Sequence, residues 1–438
     1  MHCSPSLKNS SSSSLAMIDA GLTDASLRRD AAKPGHREGA PDRGVDDMFT
    51  TFRSPALVEF GADGLKRLAE ICQSFGVSRP LIVTDSFLAA SPLLEKVTQP
   101  LVAAGVEYGL FRETLPEPTT GSIDTLREKF ASDDYDGLIA FGGGSAMDSA
   151  KALAVTETFG KDYRRWVVPN TPAGRVSVPI ICVPTTAGSG SEVSNACILK
   201  ETATGEKLVY LGQSCVPSAA VIDYELTLNV PASLTASTGI DALAHSLEAY
   251  TSTGANPFSD AMALSALKLI GPNLRTVISQ PNDREARRQV MLGATQAGYA
   301  FTSAGVTLVH GMTAPLGGLF GIQHGVSNAM VMPTVHRWST SAAQKRYAAA
   351  AKALGLAGDD HDDATASKLV ADELTALNRD LGLPSMQAYG LDKQRYFEQI
   401  DTMTEQAFLT GGPALNPRVP TPEEMADLYR AAWEEKWD

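Results

Sequence analysis

From residue 56 to about 186 the chain alternates short apolar runs with segments in which apolar residues recur every three or four positions. The runs are ALVEFG at 56, PLIVTD at 80, VEYGLF at 106, GLIAFGGGS at 137 and VPIICVPTT at 178, and stretches such as GLKRLAEICQSF separate them. Repeated strand, helix and strand predicts βαβ units and a mostly parallel sheet. Beyond about Pro231 the pattern changes to long Ala/Leu-rich stretches of helical period, including SLTASTGIDALAHSLEAY, DREARRQVMLGATQAGYA and SAAQKRYAAAAKALG. The pattern therefore predicts an α/β domain over 47–230 and an all-helical domain over 231–438.

Residues 1–46 read differently. A serine run at Ser10 to Ser14 is followed by RRDAAKPGHREGAPDRG, mixed in charge and poor in large apolar groups. Such a segment buries too little surface to offset its ordering entropy, so a disordered extension is expected. LAMI is too short for the core of a signal peptide, and Asp19, Asp24 and Asp30 argue against a transit peptide. Translation starting at Met48 is the plainer alternative.

Composition narrows the function. The 438 residues carry 37 Lys+Arg against 50 Asp+Glu, a net charge of -13, which lacks the cationic excess that phosphate neutralisation along nucleic acid requires. No apolar run approaches the roughly 18 residues of a membrane span. The five cysteines form an odd set without CxxC spacing, so neither a disulfide framework nor a cysteine zinc site is suggested, and a cytoplasmic location fits.

Three places carry candidate chemistry. Gly142, Gly143, Gly144 and Ser145 follow an apolar strand and open a helical segment, where backbone N–H groups and the helix N-terminus suit an anion. The GxGxxG fingerprint fails at Met147, so taken alone the run is either a phosphate cradle or a tight strand-to-helix turn. PTTAGSGSE, from Pro184 to Glu192, follows another buried-type strand and is either a cofactor-contacting loop or a plain Ser/Thr-rich connection. Two such loops at strand ends favour a nucleotide crevice. Asp241 and His245 are four apart in a predicted helix and share a face, leaving Ile240, Leu243 and Leu247 to pack elsewhere. Downstream, His310 and His324 each precede a glycine. One carboxylate and three imidazoles make a first shell for Fe2+ or Zn2+, and Glu248, one turn beyond His245, is placed to orient an imidazole.

FGGGSAMDSAKA, PTTAGSGSEVS, GIDALAHSLEAY, HGMTAPLGGLFGIQHGVSNAMVMP and a late NPR at Asn416 to Arg418 together resemble the iron-containing alcohol dehydrogenase family, from about residue 50 to the C-terminus. The resemblance implies an N-terminal dinucleotide-binding α/β domain facing an all-helical domain, the architecture shared with dehydroquinate synthase, with a metal between them. It implies that Asp241, His245, His310 and His324 are the metal ligands, and it puts Gly143, Gly144, Ser145 and Asp148 at the pyrophosphate. Thr185, Thr186 and Ser189 fall in the cofactor loop, Lys207 near the nicotinamide ribose and Asp85 at the adenosine ribose. The last placement favours NAD over NADP, since a 2′-phosphate would meet like charge. Many members carry a further histidine four residues after the first downstream ligand, where this chain has Ala314.

The implied activity is metal-dependent alcohol dehydrogenation or aldehyde reduction on a small molecule. The alternatives are a maleylacetate reductase, a hydroxyacid-oxoacid transhydrogenase or, in a different class, a dehydroquinate-synthase-like lyase. A homodimer or higher homo-oligomer is expected.

Overall fold

A computed structural model describes residues 50–437 of the chain. The expected N-terminal extension over 1–46, and the alternative start at Met48, lie outside the described residues.

Among the described residues, eight strands and fifteen α-helices run in the order β1 (Leu57–Phe60), α1 (Leu68–Ser74), β2 (Pro80–Val83), α2 (Ser86–Ala89), α3 (Leu93–Ala103), β3 (Gly109–Phe111), α4 (Thr120–Ala131), β4 (Gly137–Gly142), α5 (Gly144–Phe159), β5 (Ile180–Pro184), β6 (Ala196–Lys200), β7 (Lys207–Leu211), β8 (Ala219–Ile222), α6 (Ala232–Thr251), α7 (Pro257–Ser279), α8 (Arg284–Ala304), α9 (Leu308–Phe320), α10 (His324–Ser339), α11 (Gln344–Ala353), α12 (Asp363–Asp380), α13 (Lys393–Glu398), α14 (Ile400–Leu409) and α15 (Pro422–Glu434). Strands β1-β8-β5-β4-β2-β3 form one six-stranded sheet in which every pairing is parallel. β6 and β7 form a separate antiparallel hairpin.

The sheet is buried on both faces, which is why its strands read as continuous apolar runs rather than alternating ones. In β4, Leu138 and Ala140 join one core while Ile139 and Phe141 join the other. β5 divides in the same way, with Ile180 and Cys182 against Ile181 and Val183. The period of two in β4 and β5 thus feeds two apolar cores, one on each face of the sheet. The third and largest core belongs to the helices after Pro231, and Ile240, Leu243 and Leu247 of α6 are fully buried in it beside Leu267, Ile270 and Leu274 of α7. These are the residues that the helical spacing leaves off the Asp241 face.

The α/β and helical parts meet through glycines. Gly190, after β5, has φ +61°, and a methyl built on it would lie 2.5 Å from the Cα of Gly298 in α8. Gly188 presses similarly on Thr238 of α6, 2.9 Å from its carbonyl oxygen. The loop after β5 can therefore lie backbone to backbone on α6 and α8 only where side chains are missing. Gly190→Ala should lose about 2–4 kcal/mol in urea unfolding, from left-handed strain plus overpacking. Gly76→Ala serves as the control, since its φ is +74° but nothing lies within 4 Å, and it should lose only about 1–2 kcal/mol. Equal losses would show that the close approach is not a constraint.

Candidate metal and cofactor site

Asp241 and His245 come from α6, His310 from the first turn of α9 and His324 from the first residue of α10. Two further glycines let the helices that carry the downstream histidines pack closely. A methyl on Gly325 would lie 2.1 Å from the carbonyl oxygen of Ser237, one turn before Asp241, so α10 starts directly against the α6 backbone. A methyl on Gly311 would lie 2.9 Å from the Pro413 ring. The glycine that follows each downstream histidine is thus the residue that lets its helix seat.

One oxygen of Asp241, Oδ1, is 3.6 Å from Nε2 of His245, 3.6 Å from Nε2 of His310 and 3.4 Å from Nε2 of His324. These separations are long for hydrogen bonds, whereas donors bound about 2.1 Å from one tetrahedral ion sit about 3.4 Å apart. Ligand atoms of Asp241, His245 and His310 all lie within 4.8 Å of one another, while His324, half exposed, stands outside that trio and approaches it through Asp241 Oδ1. Nε2 of His310 is buried without a hydrogen-bond partner among the described residues. The residues therefore fit a divalent cation of the iron or zinc kind, which accepts imidazole nitrogen and carboxylate oxygen together.

The surrounding groups hold this arrangement. Asn328, one turn after His324 on α10, donates from Nδ2 to Asp241 Oδ1 at 2.8 Å. The His245 ring stacks on His310 with centroids 4.7 Å apart and packs at a tilt against Phe301 of α8 at 4.4 Å. Glu248 is fully buried, and its Oε2 pairs with His310 Nδ1. Burial opposes the charge on Asp241, but the facing imidazoles outweigh it and hold its pKa well below the usual range. Burial likewise opposes charge on Glu248, yet His310 brings its pKa down to about 2. Desolvation pushes His245 down to about 4. His310 goes the other way despite its burial, up to about 10, because the Glu248 and Asp241 carboxylates face it. Without a metal ion, a proton on His310 supplies the positive charge that the two carboxylates need.

The expected cofactor residues other than Lys207 lie at or just beyond the ends of β2, β4 and β5. Gly143 caps α5, and side chains built on Gly143 and Gly144 would meet Thr186 Oγ1 at 3.3 Å and Ser189 Oγ at 3.2 Å. The glycine run and the PTTAGSGSE loop therefore touch, and Thr185 N donates to Gly142 O at 3.0 Å. Ser145 donates its hydroxyl to the Pro116 carbonyl. Asp148 accepts from Ser191 Oγ at 3.0 Å and from Ile198 N at 3.1 Å, which ties α5 to the loop and the hairpin. Lys151, missed in the sequence reading, is fully buried and donates to Ser191 Oγ, Ser194 O and Ala196 O at 2.8–3.1 Å. Asp85 caps α2, accepting from Leu88 N through Oδ1 at 2.9 Å, so one of its two oxygens is already used. Lys207 opens β7, and its Nζ lies 3.9 Å from where a side chain on Gly317 of α9 would begin; the residue is exposed overall, but desolvation by the atoms around its ammonium lowers its pKa.

The two groups of residues adjoin. Gly190 of the loop packs against Gly298, and a methyl built on it would lie 3.4 Å from the Phe301 ring, which packs at a tilt against His245. Gly188 rests on Thr238, less than one turn before Asp241. The arrangement defines a class: a parallel α/β layer whose strand-end loops abut a buried carboxylate and imidazole cluster in a helical layer.

The wider family follows from comparison with known proteins. Residues 55–224 match the family model for iron-containing alcohol dehydrogenase, and residues 235–433 match the C-terminal model of the same family. The NAD-dependent methanol dehydrogenase of Bacillus methanolicus is 32% identical over 384 residues, covering 88% of this chain and all of the relative. The lactaldehyde reductase of Escherichia coli K12 is 32% identical over 380 residues, covering 85% of this chain and 97% of the relative. A solved 1,3-propanediol oxidoreductase superposes with a TM-score of 0.84 at 32% identity, over 88% of this chain and all of that one. The chain belongs to the iron-containing alcohol dehydrogenase family and is an oxidoreductase acting on CH–OH groups. No helix among the described residues is long and apolar enough to cross a membrane.

One motif singled out by sequence, the late NPR, is not brought to the cluster. Asn416 donates to Ser339 Oγ at 2.9 Å, and Arg418 lies 4.0 Å over the Trp338 ring, so NPR clamps the end of α10. His336 is buried against Tyr347, with its Nδ1 2.8 Å from the phenol oxygen, and burial holds its pKa at about 4. A histidine depressed below the unfolded value near 6.5 contributes stability that is complete above that value and is lost as pH falls from about 6.5 to 4. His336→Gln should therefore flatten the fall in urea midpoint over this window, and parallel wild-type and variant profiles would contradict the assignment.

Proposed function

We propose that the chain interconverts a small alcohol and its aldehyde with NAD(H), using a divalent ion held by Asp241, His245, His310 and His324. The single observation that carries this reading is the approach of three imidazole nitrogens to within 3.4–3.6 Å of one buried carboxylate oxygen. When bound, an ion there supplies a Lewis acid for the substrate oxygen, and a nicotinamide on the loop side supplies the hydride acceptor or donor. Iron is the family's metal, with zinc as the alternative.

The chain's own residues do the positioning. Asn328 holds the Asp241 carboxylate edge toward the imidazoles. Phe301 backs His245 and keeps bulk water from that side. The α5 N-terminus, with Gly143, Gly144, Ser145 and Asp148 in its first turns, faces the Thr185, Thr186 and Ser189 loop and suits a pyrophosphate, because its free N–H groups carry partial positive charge. The oxygen of Asp85 not used in capping is free for the adenosine ribose and disfavours a 2′-phosphate, which supports NAD over NADP. Lys207 reaches from the start of β7 toward Gly317 of α9, where the nicotinamide end would lie. Ala314, half-buried one turn after His310, offers no proton acceptor, so proton release is left to water and the substrate oxygen.

The proposal keeps the division into a cofactor domain over 47–230 and a metal domain over 231–438, which is supported by Pro231 standing at the start of α6. It also includes a homodimer or higher homo-oligomer and a cytoplasmic location. The latter is supported by Cys72, Cys182, Cys197 and Cys215, all free and buried.

The test is metal analysis beside NADH formation on primary alcohols, for wild type and His310→Ala. The variant should fold, retain less than a tenth of the metal and lose activity by about 10²-fold or more, because an incomplete shell neither holds nor polarises. Full activity in the chelated variant would refute the reading.

A further inference from the structure

Glu248 makes more connections than a residue that only orients an imidazole. α9 begins at Leu308, and its preceding residue, Thr307, does not cap it with its own side chain. Glu248 takes that place from α6. Its Oε1 accepts from Thr307 N at 3.0 Å, Thr307 Oγ1 at 2.9 Å, Val309 N at 2.8 Å and His310 N at 3.3 Å. Those backbone groups are among the donors that the first turn of a helix leaves without intrahelical partners, and an anion is favoured beside them. The other oxygen, Oε2, meets His310 Nδ1.

An ionised carboxylate only accepts hydrogen bonds, so a neutral His310 beside it must carry its proton on Nδ1. Its Nε2 lone pair then faces Asp241 Oδ1, 3.6 Å away. Asp241, His245 and Glu248 stand at spacings of four and three on α6, on one helical face. The face that presents two of the candidate ligands therefore also fixes the helix that carries a third.

We propose that Glu248 is a positioning residue with two coupled tasks, seating the N-terminus of α9 on α6 and holding His310 in the Nδ1–H form, so that one side chain sets both where this imidazole lies and which nitrogen it offers to a cation. The inference rests on the metal reading above and extends it to a residue that touches neither metal nor substrate.

The two tasks separate in Glu248→Gln. The amide oxygen can still accept from the α9 backbone, but the amide nitrogen in place of Oε2 donates to Nδ1 and drives the proton onto Nε2, where it blocks coordination. Chelator-treated Glu248→Gln should therefore keep its far-ultraviolet dichroism and unfold within a few degrees of wild type. Its affinity for Co2+, used as the probe, should fall by about 10–100-fold, with an altered visible spectrum. Glu248→Ala should lose thermal stability and Co2+ affinity together. Wild-type Co2+ affinity and spectrum in Glu248→Gln would overturn the proposal. Failure of wild type itself to bind Co2+ would overturn the metal reading, and this inference with it.

A second measurement needs no variant at position 248. In Zn2+-loaded wild-type protein with 15N-labelled histidine, the His310 signal, identified by its loss in His310→Ala, should show a protonated Nδ1 and a metal-shifted Nε2. The reverse pattern would overturn the proposal.

Discussion

The helical part carries a local electrostatic problem, the crowding of three imidazoles against one oxygen of the buried Asp241 carboxylate, with His324 alone reaching half into solvent. Buried polar groups are tolerated when partnered, and these donor atoms face one another at distances that suit a shared cation better than hydrogen bonds. The cost of a missing charge is visible in His310, whose pKa is lifted despite burial by the two carboxylates beside it. A proton can fill that role, and a divalent ion fills it more completely.

Holding the cluster requires close helix contacts, and these come from absent side chains. Gly325 lets α10 start against the α6 backbone, and Gly311 lets α9 pass the Pro413 ring. Gly188 and Gly190 do the same for the loop after β5, which rests on α6 and α8 near Asp241 and Phe301. The loop is held in turn by the buried Lys151 and by Asp148, both on α5. The strand-end loops and the imidazole cluster are thus joined through a short chain of backbone contacts. That is the geometry a hydride transfer needs, since the reacting carbon must lie between cofactor and metal.

Much of this was legible in the sequence. The apolar runs gave five strands of the parallel sheet, and the spacing of four gave the shared face of Asp241 and His245. β8 was not legible, because AAVI offers only two large apolar residues after two alanines, and neither was the β6–β7 hairpin, whose strands have mixed patterning. The roles of Asp148 and Asp85 as structural acceptors, in addition to any ligand contact, depend on partners that only the fold supplies. Asn328 could have been found, because it stands one turn after His324 on the same helix. The pairing of Glu248 with His310 spans 62 positions and rests on how α9 seats, which local periodicity does not encode.

The most direct test of the central claim is X-ray absorption on protein reconstituted with Zn2+. Four or five nitrogen and oxygen donors at about 2.0–2.1 Å, with outer-shell scattering from three imidazole rings, are expected from the Asp241, His245, His310 and His324 set. A sulfur shell near 2.3 Å, or scattering from no more than one imidazole, would contradict it.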